Sequence, residues 1–221
     1  MNKIEQIYQQ LYCKYGPQGW WPLIDFDDVN PTKSACILGY HPADYSYPKT
    51  LDQQLEICLG SILTQNTSWS AVEKALILLK QHNALTISGL KKLSENKLKK
   101  CIKVAGYYNQ KADYIKQFLD FFITLRNKTP KRDELLSLKG IGAETADSIL
   151  LYAFRVPSFV IDTYTKRIFL DLGLINNKWK YRQIQALFEN NLARDVVIYQ
   201  EYHSLIVEHA KCRTKNNFIL G

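Results

Sequence analysis

The sequence predicts an all-α fold. Three observations carry that prediction. Apolar residues recur at helical spacing along most of the chain, strand-like alternation is scarce, and two helical runs are joined by a turn holding two glycines, "LKGIGAE". In order, Leu51, Leu55, Cys58, Leu59, Ile62 and Leu63 share one helical face. Val72, Ala75, Leu76 and Leu79 mark a second helix, and Ile115, Phe118, Leu119 and Phe122 a third. Ala146, Ile149, Leu150, Ala153 and Phe154 follow the glycine turn, and Val196, Val197, Leu205, Ile206 and Ala210 predict a closing helix. Residues 25–50 break the pattern with three prolines and three tyrosines, and read as a loop insertion. The C-terminal "KCRTKNNFILG" reads as a polar tail with a short apolar end.

Composition narrows the function classes. Hydrophobic residues are 46% of the 221, enough for a core. Lysine and arginine total 29 against 21 acids, a net charge of +8 that favours polyanions, nucleic acid first. No apolar run is long enough to span a membrane, and the first residues lack the apolar core of a secretory signal, so a cytoplasmic protein is expected. Five cysteines at 13, 36, 58, 101 and 212 form no C-x-x-C pair, which fits reduced thiols better than a disulfide framework or zinc site. His203 and His209 stand six apart, the wrong spacing to share a metal on one helical face, and no metal site is expected.

The turn Lys139-Gly140-Ile141-Gly142 is the first candidate site. Thr129 as cap and Pro130 at the first helical position predict a short helix to about Leu138, and a second helix begins near Ala143. Two glycines permit a tight bend and leave backbone N–H groups uncovered at a helix start, where an anion is favoured. Ile141 is expected to point inward. An ordinary αα-hairpin would look the same; the basic charge and Lys139 favour phosphate. Twenty residues beyond Gly142 comes Asp162, after the apolar Val160-Ile161 and before a helix that Gly173 ends. By itself Asp162 is a good N-cap.

The pairing of "LKGIGAETAD" with "VIDTYTKRIF" resembles the helix-hairpin-helix DNA glycosylase superfamily, in its endonuclease III branch. In that family the hairpin binds a phosphate near the lesion and an aspartate at this remove is catalytic, here Asp162. "ILTQNTSW" resembles the segment whose glutamine enters the gap left by a flipped base, here Gln65; "GYYNQKA" resembles the segment with a second wedge, here Tyr107. "YGPQGWWP" resembles the start of a bacterial subgroup that includes 3-methyladenine glycosylases. The resemblance implies a two-lobed helical fold with a cleft for the base. One lobe is 50–160, with the hairpin at about 130–154; the other combines 1–49 with 161–221. It also implies a monomer that acts on double-stranded DNA containing a damaged base.

Two departures from the family shape the expected chemistry. Bifunctional members carry a nucleophilic lysine in the second hairpin helix, where this chain has Glu144; a carboxylate forms no Schiff base. Lys139 and Lys111 are the lysines nearby in sequence. The branch also commonly holds an iron–sulfur cluster on four C-terminal cysteines, of which only Cys212 remains, so no cluster and no other cofactor is expected. Trp20, Trp21 and Pro22, with Glu144, are candidates for the base pocket, although the tryptophans suit a core equally well. The resulting expectation is a monofunctional glycosylase releasing an alkylated purine such as 3-methyladenine. The alternatives are an oxidised-base or mismatch glycosylase of endonuclease III type, bifunctional or not, and a catalytically silent DNA-binding protein. Lys91, Lys92, Lys97, Lys99, Lys100 and Lys103, just before Tyr107, are either phosphate contacts or a solvated helix face.

Overall fold

The structure, a computed structural model, describes residues 1–26, 29 and 38–212. Part of the 25–50 stretch, including Cys36, and the tail beyond 212 lie outside the described residues. Among the described residues there is no strand. The described residues form eleven α-helices: α1 (Lys3–Tyr15), α2 (Leu51–Leu63), α3 (Trp69–Gln81), α4 (Ile87–Lys92), α5 (Glu95–Ile102), α6 (Tyr108–Thr124), α7 (Arg132–Leu136), α8 (Ala143–Ser148), α9 (Thr163–Asp171), α10 (Tyr181–Glu189) and α11 (Val196–Cys212). None is long and apolar enough to cross a membrane.

The chain divides into two compact units. The first is Ser46–Phe154 with Leu23–Asp25; the second comprises the described residues of Met1–Pro22, Phe26–Tyr45 and Arg155–Gly221.

In the first unit α2 is the central helix. Residues 55–63 are all buried, so α2 has no solvent face beyond its first turn. It packs on α3, α6 and the turn of π-helix Ile149–Ala153 that continues α8. Thr50 caps its start by accepting from Gln53 N. Its far end is closed by a lysine: Lys111, on α6 and 2% exposed, donates from Nζ to Leu63 O and to Ala105 O, each at 2.8 Å. Helix ends leave carbonyls without helical partners, and Lys111 satisfies one of them while tying α6 to α2 and to the 3₁₀ turn Lys103–Ala105. Burial pushes the Lys111 ammonium down to about 8.

The second unit is built on aromatic packing. Phe159 stacks on Phe188 at 4.2 Å and meets Tyr199 and Tyr202 edge-on, with Phe169 against Phe188. Helix α1 lies along α11, with Tyr8 on Tyr202 and the Tyr202 hydroxyl donating to Ile4 O. Asn2 and Glu5 form a reciprocal capping box at the start of α1.

Lys111→Met keeps the stem and removes the amine. We expect it to destabilise the protein by about 2–4 kcal/mol in urea unfolding, because two buried carbonyls lose their donor. The wild type should also gain stability, relative to the variant, as the pH rises. The folded pKa of Lys111 lies near 8, below its ordinary 10.5, so between these values the unfolded chain binds more protons. That contribution is complete above the unfolded value and is lost as the pH falls through 8. A flat difference between the two proteins across this window would contradict the assignment.

Candidate active site

The hairpin is formed by α7, the turn 137–142, and α8. Its first helix begins later than the sequence predicts. Thr129 and Pro130 precede it, Lys131 occupies the cap position, and the Glu134 carboxylate accepts from Lys131 N at 2.6 Å. Pro130 holds Thr129 away from helical geometry, and the Glu134 bond fixes the start beyond it. Arg132 grips Asp147 with two bonds, Nε to Oδ1 at 2.8 Å and a terminal nitrogen to Oδ2 at 2.9 Å, clamping α7 to α8.

The two glycines have different reasons to be there. Gly140 has φ +80, and a Cβ on it would stand 2.3 Å from the Tyr114 ring, so the fold demands glycine twice over. Gly142 has φ −88, and a Cβ there would meet nothing within 4 Å. Nothing within the protein requires glycine at 142. It is exposed at the start of α8, open to a ligand from outside. Ile141 is buried, as expected, and donates its N–H to Leu138 O. Lys139 is exposed and 3.2 Å from Asp113.

Gln65 lies just beyond α2 and is half-buried. Its amide nitrogen donates to Gly140 O at 2.9 Å and Thr145 Oγ1 at 3.0 Å, which holds the hairpin onto the end of α2. Tyr107 precedes α6, on the segment that Lys111 ties to the end of α2. It is 66% exposed and adopts φ +47, a left-handed conformation that a tyrosine enters only at a cost. Glu144 is exposed on the first turn of α8. Of the lysines before Tyr107, Lys99 pairs with Glu95, as does Lys116, while Lys91, Lys92, Lys100 and Lys103 are exposed.

In the second unit, Asp162 is presented by an extended segment held by α10. Gln185 donates to Phe159 O, Glu189 accepts from Phe159 N, and the Tyr181 hydroxyl accepts from Ile161 N. These side chains replace the strand partner that the segment lacks. Asp162 caps α9, as the sequence predicts. Its Oδ1 accepts from both Thr165 N and Thr165 Oγ1 at 2.7 Å. Oδ2 faces His203 Nε2 at 3.7 Å. Only 8% of Asp162 is exposed, and burial would raise its pKa. The His203 imidazole and the Thr165 donors outweigh burial and hold it below the ordinary carboxylate value.

Trp20, Trp21 and Pro22 lie on a loop that α11 anchors. The Glu201 carboxylate accepts from Gln18 N at 2.7 Å and from the Tyr45 hydroxyl at 2.9 Å. His41 bridges Trp21 O and Asp44 O, and Gly19, at φ +68, lies so close to the His41 carbonyl that no Cβ would fit. Trp21 and Pro22 are buried. Trp20 is half-buried, with the edge of His203 at 5.6 Å and the Lys211 ammonium 5.8 Å from its ring centre. His203 thus links Trp20 to Asp162.

Sequence reasoning missed His203 and Glu201, having weighed His203 only as a metal ligand. A signal was available. In "VVIYQEYHSLIVEHA" apolar residues leave no continuous polar face, so the acids and histidines of this helix have to be buried and partnered. Among the described residues, no three His, Cys, Asp or Glu side chains gather as a metal would need, and between residues 102 and 221 Cys212 is the only cysteine.

Comparison with known proteins fits this geometry. Residues 59–194, which include Gln65, Tyr107, the hairpin and Asp162, match the family described as "HhH-GPD superfamily base excision DNA repair protein". A Methanocaldococcus jannaschii protein provisionally named a DNA repair glycosylase is 41% identical, over 97% of this chain and 92% of its own length. Endonuclease III of Sulfolobus acidocaldarius is 32% identical over 72% of this chain and 73% of its own length. Among solved structures, the 3-methyladenine DNA glycosylase MagIII of H. pylori, bound to 1,N6-ethenoadenine, aligns with a TM-score of 0.70 over 96% of this chain and 98% of that one, at 25% identity. With the hairpin and the capping aspartate both within the matched span, the chain belongs to the HhH-GPD superfamily of base excision DNA repair proteins.

Proposed function

We propose that this DNA glycosylase is monofunctional and hydrolyses the N-glycosyl bond of an alkylated purine such as 3-methyladenine. The observation that carries the reading is Asp162, a buried carboxylate held ionised by its cap bonds and His203, with Oδ2 outside the cap. Glycosyl cleavage builds positive charge on the sugar, and a fixed anion lowers that barrier without reorganisation. The base must leave the duplex stack to be reached, and Gln65 and the exposed Tyr107 are the side chains proposed to occupy the space it vacates. The hairpin, through Lys139, Gly140, Ile141 and Gly142, is proposed to hold a backbone phosphate.

Two features favour hydrolysis over strand cleavage. Glu144 stands where a bifunctional enzyme carries its lysine, and neither neighbouring lysine replaces it: Lys111 is buried on two carbonyls, and Lys139 is paired with Asp113. The alkylpurine assignment is supported by Trp20, whose half-buried ring can stack on a cationic base, and by the likeness to MagIII, which is a 3-methyladenine glycosylase. A purine already cationic through methylation has a weakened glycosidic bond and needs no strong general acid. The donor set does not suit an iron–sulfur cluster, and we propose that the protein works without one.

Asp162→Asn is the first test. Asparagine caps a helix as well as aspartate does, so folding and DNA affinity should be retained while base release falls at least about 100-fold. Release at the wild-type rate would remove Asp162 from the mechanism. Wild-type inactivity on every duplex of a panel of single lesions would favour a silent binder. The same panel, run with and without alkali, should show strand breaks only after alkali. Cuts without it would establish lyase activity, and visible iron–sulfur absorbance in the purified protein would refute the cluster-free assignment.

The glycines provide a separate test of the hairpin. Gly140→Ala should destabilise the protein by about 1–2 kcal/mol from the backbone alone, with more from Tyr114. Gly142→Ala should melt like wild type yet bind duplex DNA about tenfold more weakly, the effect of losing one charge-assisted hydrogen bond. Unchanged DNA affinity in Gly142→Ala would remove position 142 from the interface.

A further inference from the structure

Asp162 has to be an anion to act as proposed, and its surroundings oppose one. The residue is almost entirely out of water. Its Oδ1 is committed to Thr165 through the two bonds that cap α9. Oδ2 is the oxygen left for chemistry, and His203 Nε2 faces it at 3.7 Å. That separation exceeds a hydrogen bond, and a small movement of either side chain would close it. His203 is 4% exposed, and its ring stands edge-on to Trp20, with an interplanar angle of 85°. The imidazole therefore sits between the aromatic ring proposed for the base and the carboxylate proposed for the sugar.

Other charged and titratable groups line α11. Glu201 holds Gln18 and Tyr45, the Tyr15 hydroxyl meets His209 Nδ1, Lys211 lies over Trp20, and Tyr8 packs on Tyr202. Glu208 is buried further along the helix. On α9, Lys166 lies near the Tyr181 ring and Arg167 near Tyr164.

We propose that His203 is the positioning residue of this site: facing Oδ2 and edge-on to Trp20, it keeps Asp162 ionised and fixes Oδ2 relative to Trp20. The role in catalysis rests on the function proposed above; the pairing itself does not, and can be measured without any activity. Its sign is defined. Burial opposes the Asp162 anion, and His203 together with Thr165 reverses the balance, leaving the folded pKa below the unfolded one. The stability that Asp162 contributes is therefore fully present above its unfolded pKa and is lost as the pH falls through the folded value. Base release should rise with pH as Asp162 ionises.

The experiment compares the full-length wild type with His203→Gln. Carbon NMR of the Asp162 carboxyl should show a weaker acid in the variant, by at least about tenfold in its ionisation constant. Single-turnover base release at neutral pH should fall at least about tenfold, with the acid limb moved to higher pH and DNA affinity unchanged. An Asp162 titration that does not move in a folded variant would overturn the proposal. So would a slower reaction whose acid limb stays in place, because that is what a merely structural histidine would give. Should His203→Gln fail to fold, His203→Asn takes its place, and nitrogen NMR of the wild-type ring gives an independent reading. An Nε2 resonance that does not respond as Asp162 ionises overturns the proposal; one that follows the Asp162 titration supports it. If Asp162 shifts as expected while Asp162→Asn still releases base, the pairing stands and the glycosylase mechanism fails.

Discussion

The site depends on keeping one carboxylate charged where water scarcely reaches it. Removing an ion from water costs several kcal/mol unless donors or an opposite charge compensate. Asp162 meets that cost with its two oxygens used differently. Oδ1 takes both Thr165 donors and closes the start of α9, where the helix dipole also favours an anion. Oδ2 is left opposite the histidine. Folding and the proposed function thus use the same side chain through separate atoms. The position looks like an ordinary cap in the sequence because, through Oδ1, it is one.

Helix α11 supplies the surroundings that this carboxylate needs. Glu201 and His203 are two residues apart, so they point about 200° apart around the helix, at 100° per residue. Glu201 reaches the loop of Gln18 and Tyr45, and His203 reaches Trp20 and Asp162. The helix is buried over nearly its whole length, and its acids and histidines form internal links. Burial raises the Glu201 pKa, against the donors that accept its charge, so this anchor too is a carboxylate set against its own desolvation. A helix of this kind trades some stability for fixed positions, and the positions it fixes are those of the tryptophan loop and the capping aspartate.

The sequence was legible where interactions are local. Helical spacing located α2 and α3, the predicted run at 115–122 falls within α6, and that at 143–154 matches α8 with its π turn but for Phe154, one residue past the end. Asp162 as a cap, Ile141 as an inward anchor and a tight bend at Gly140 follow from neighbours within a few residues. The start of α7 was misplaced because a reciprocal bond from Glu134 competed with the Thr129-Pro130 signal, and propensity alone does not rank the two. His203 and Glu201 were illegible for another reason. Their partners lie 41 and 183 residues away, at Asp162 and Gln18, and periodicity carries no information about pairs so distant. Lys111 belongs with them: by sequence it is another cation beside a DNA-contacting loop, yet its amine is inside, on two carbonyls.

Lys111 and Gly142 show how fold and function can be told apart residue by residue. A lysine near a hairpin invites a reading as nucleophile or phosphate ligand, but an amine buried on two carbonyl oxygens already has a structural occupation, and exposing it would leave both carbonyls unsatisfied. Gly142 invites the opposite reading, as a glycine kept for its backbone. Its φ is ordinary and its missing side chain leaves open space, so conformation gives no reason for glycine there, whereas Gly140, two residues earlier, has both a left-handed φ and the Tyr114 ring against it. A residue whose smallness the protein does not use internally, at an exposed helix start, is the one to which the proposed phosphate contact is assigned. The same reasoning separates the two oxygens of Asp162, and it locates the proposed chemistry at the oxygen that the cap leaves over.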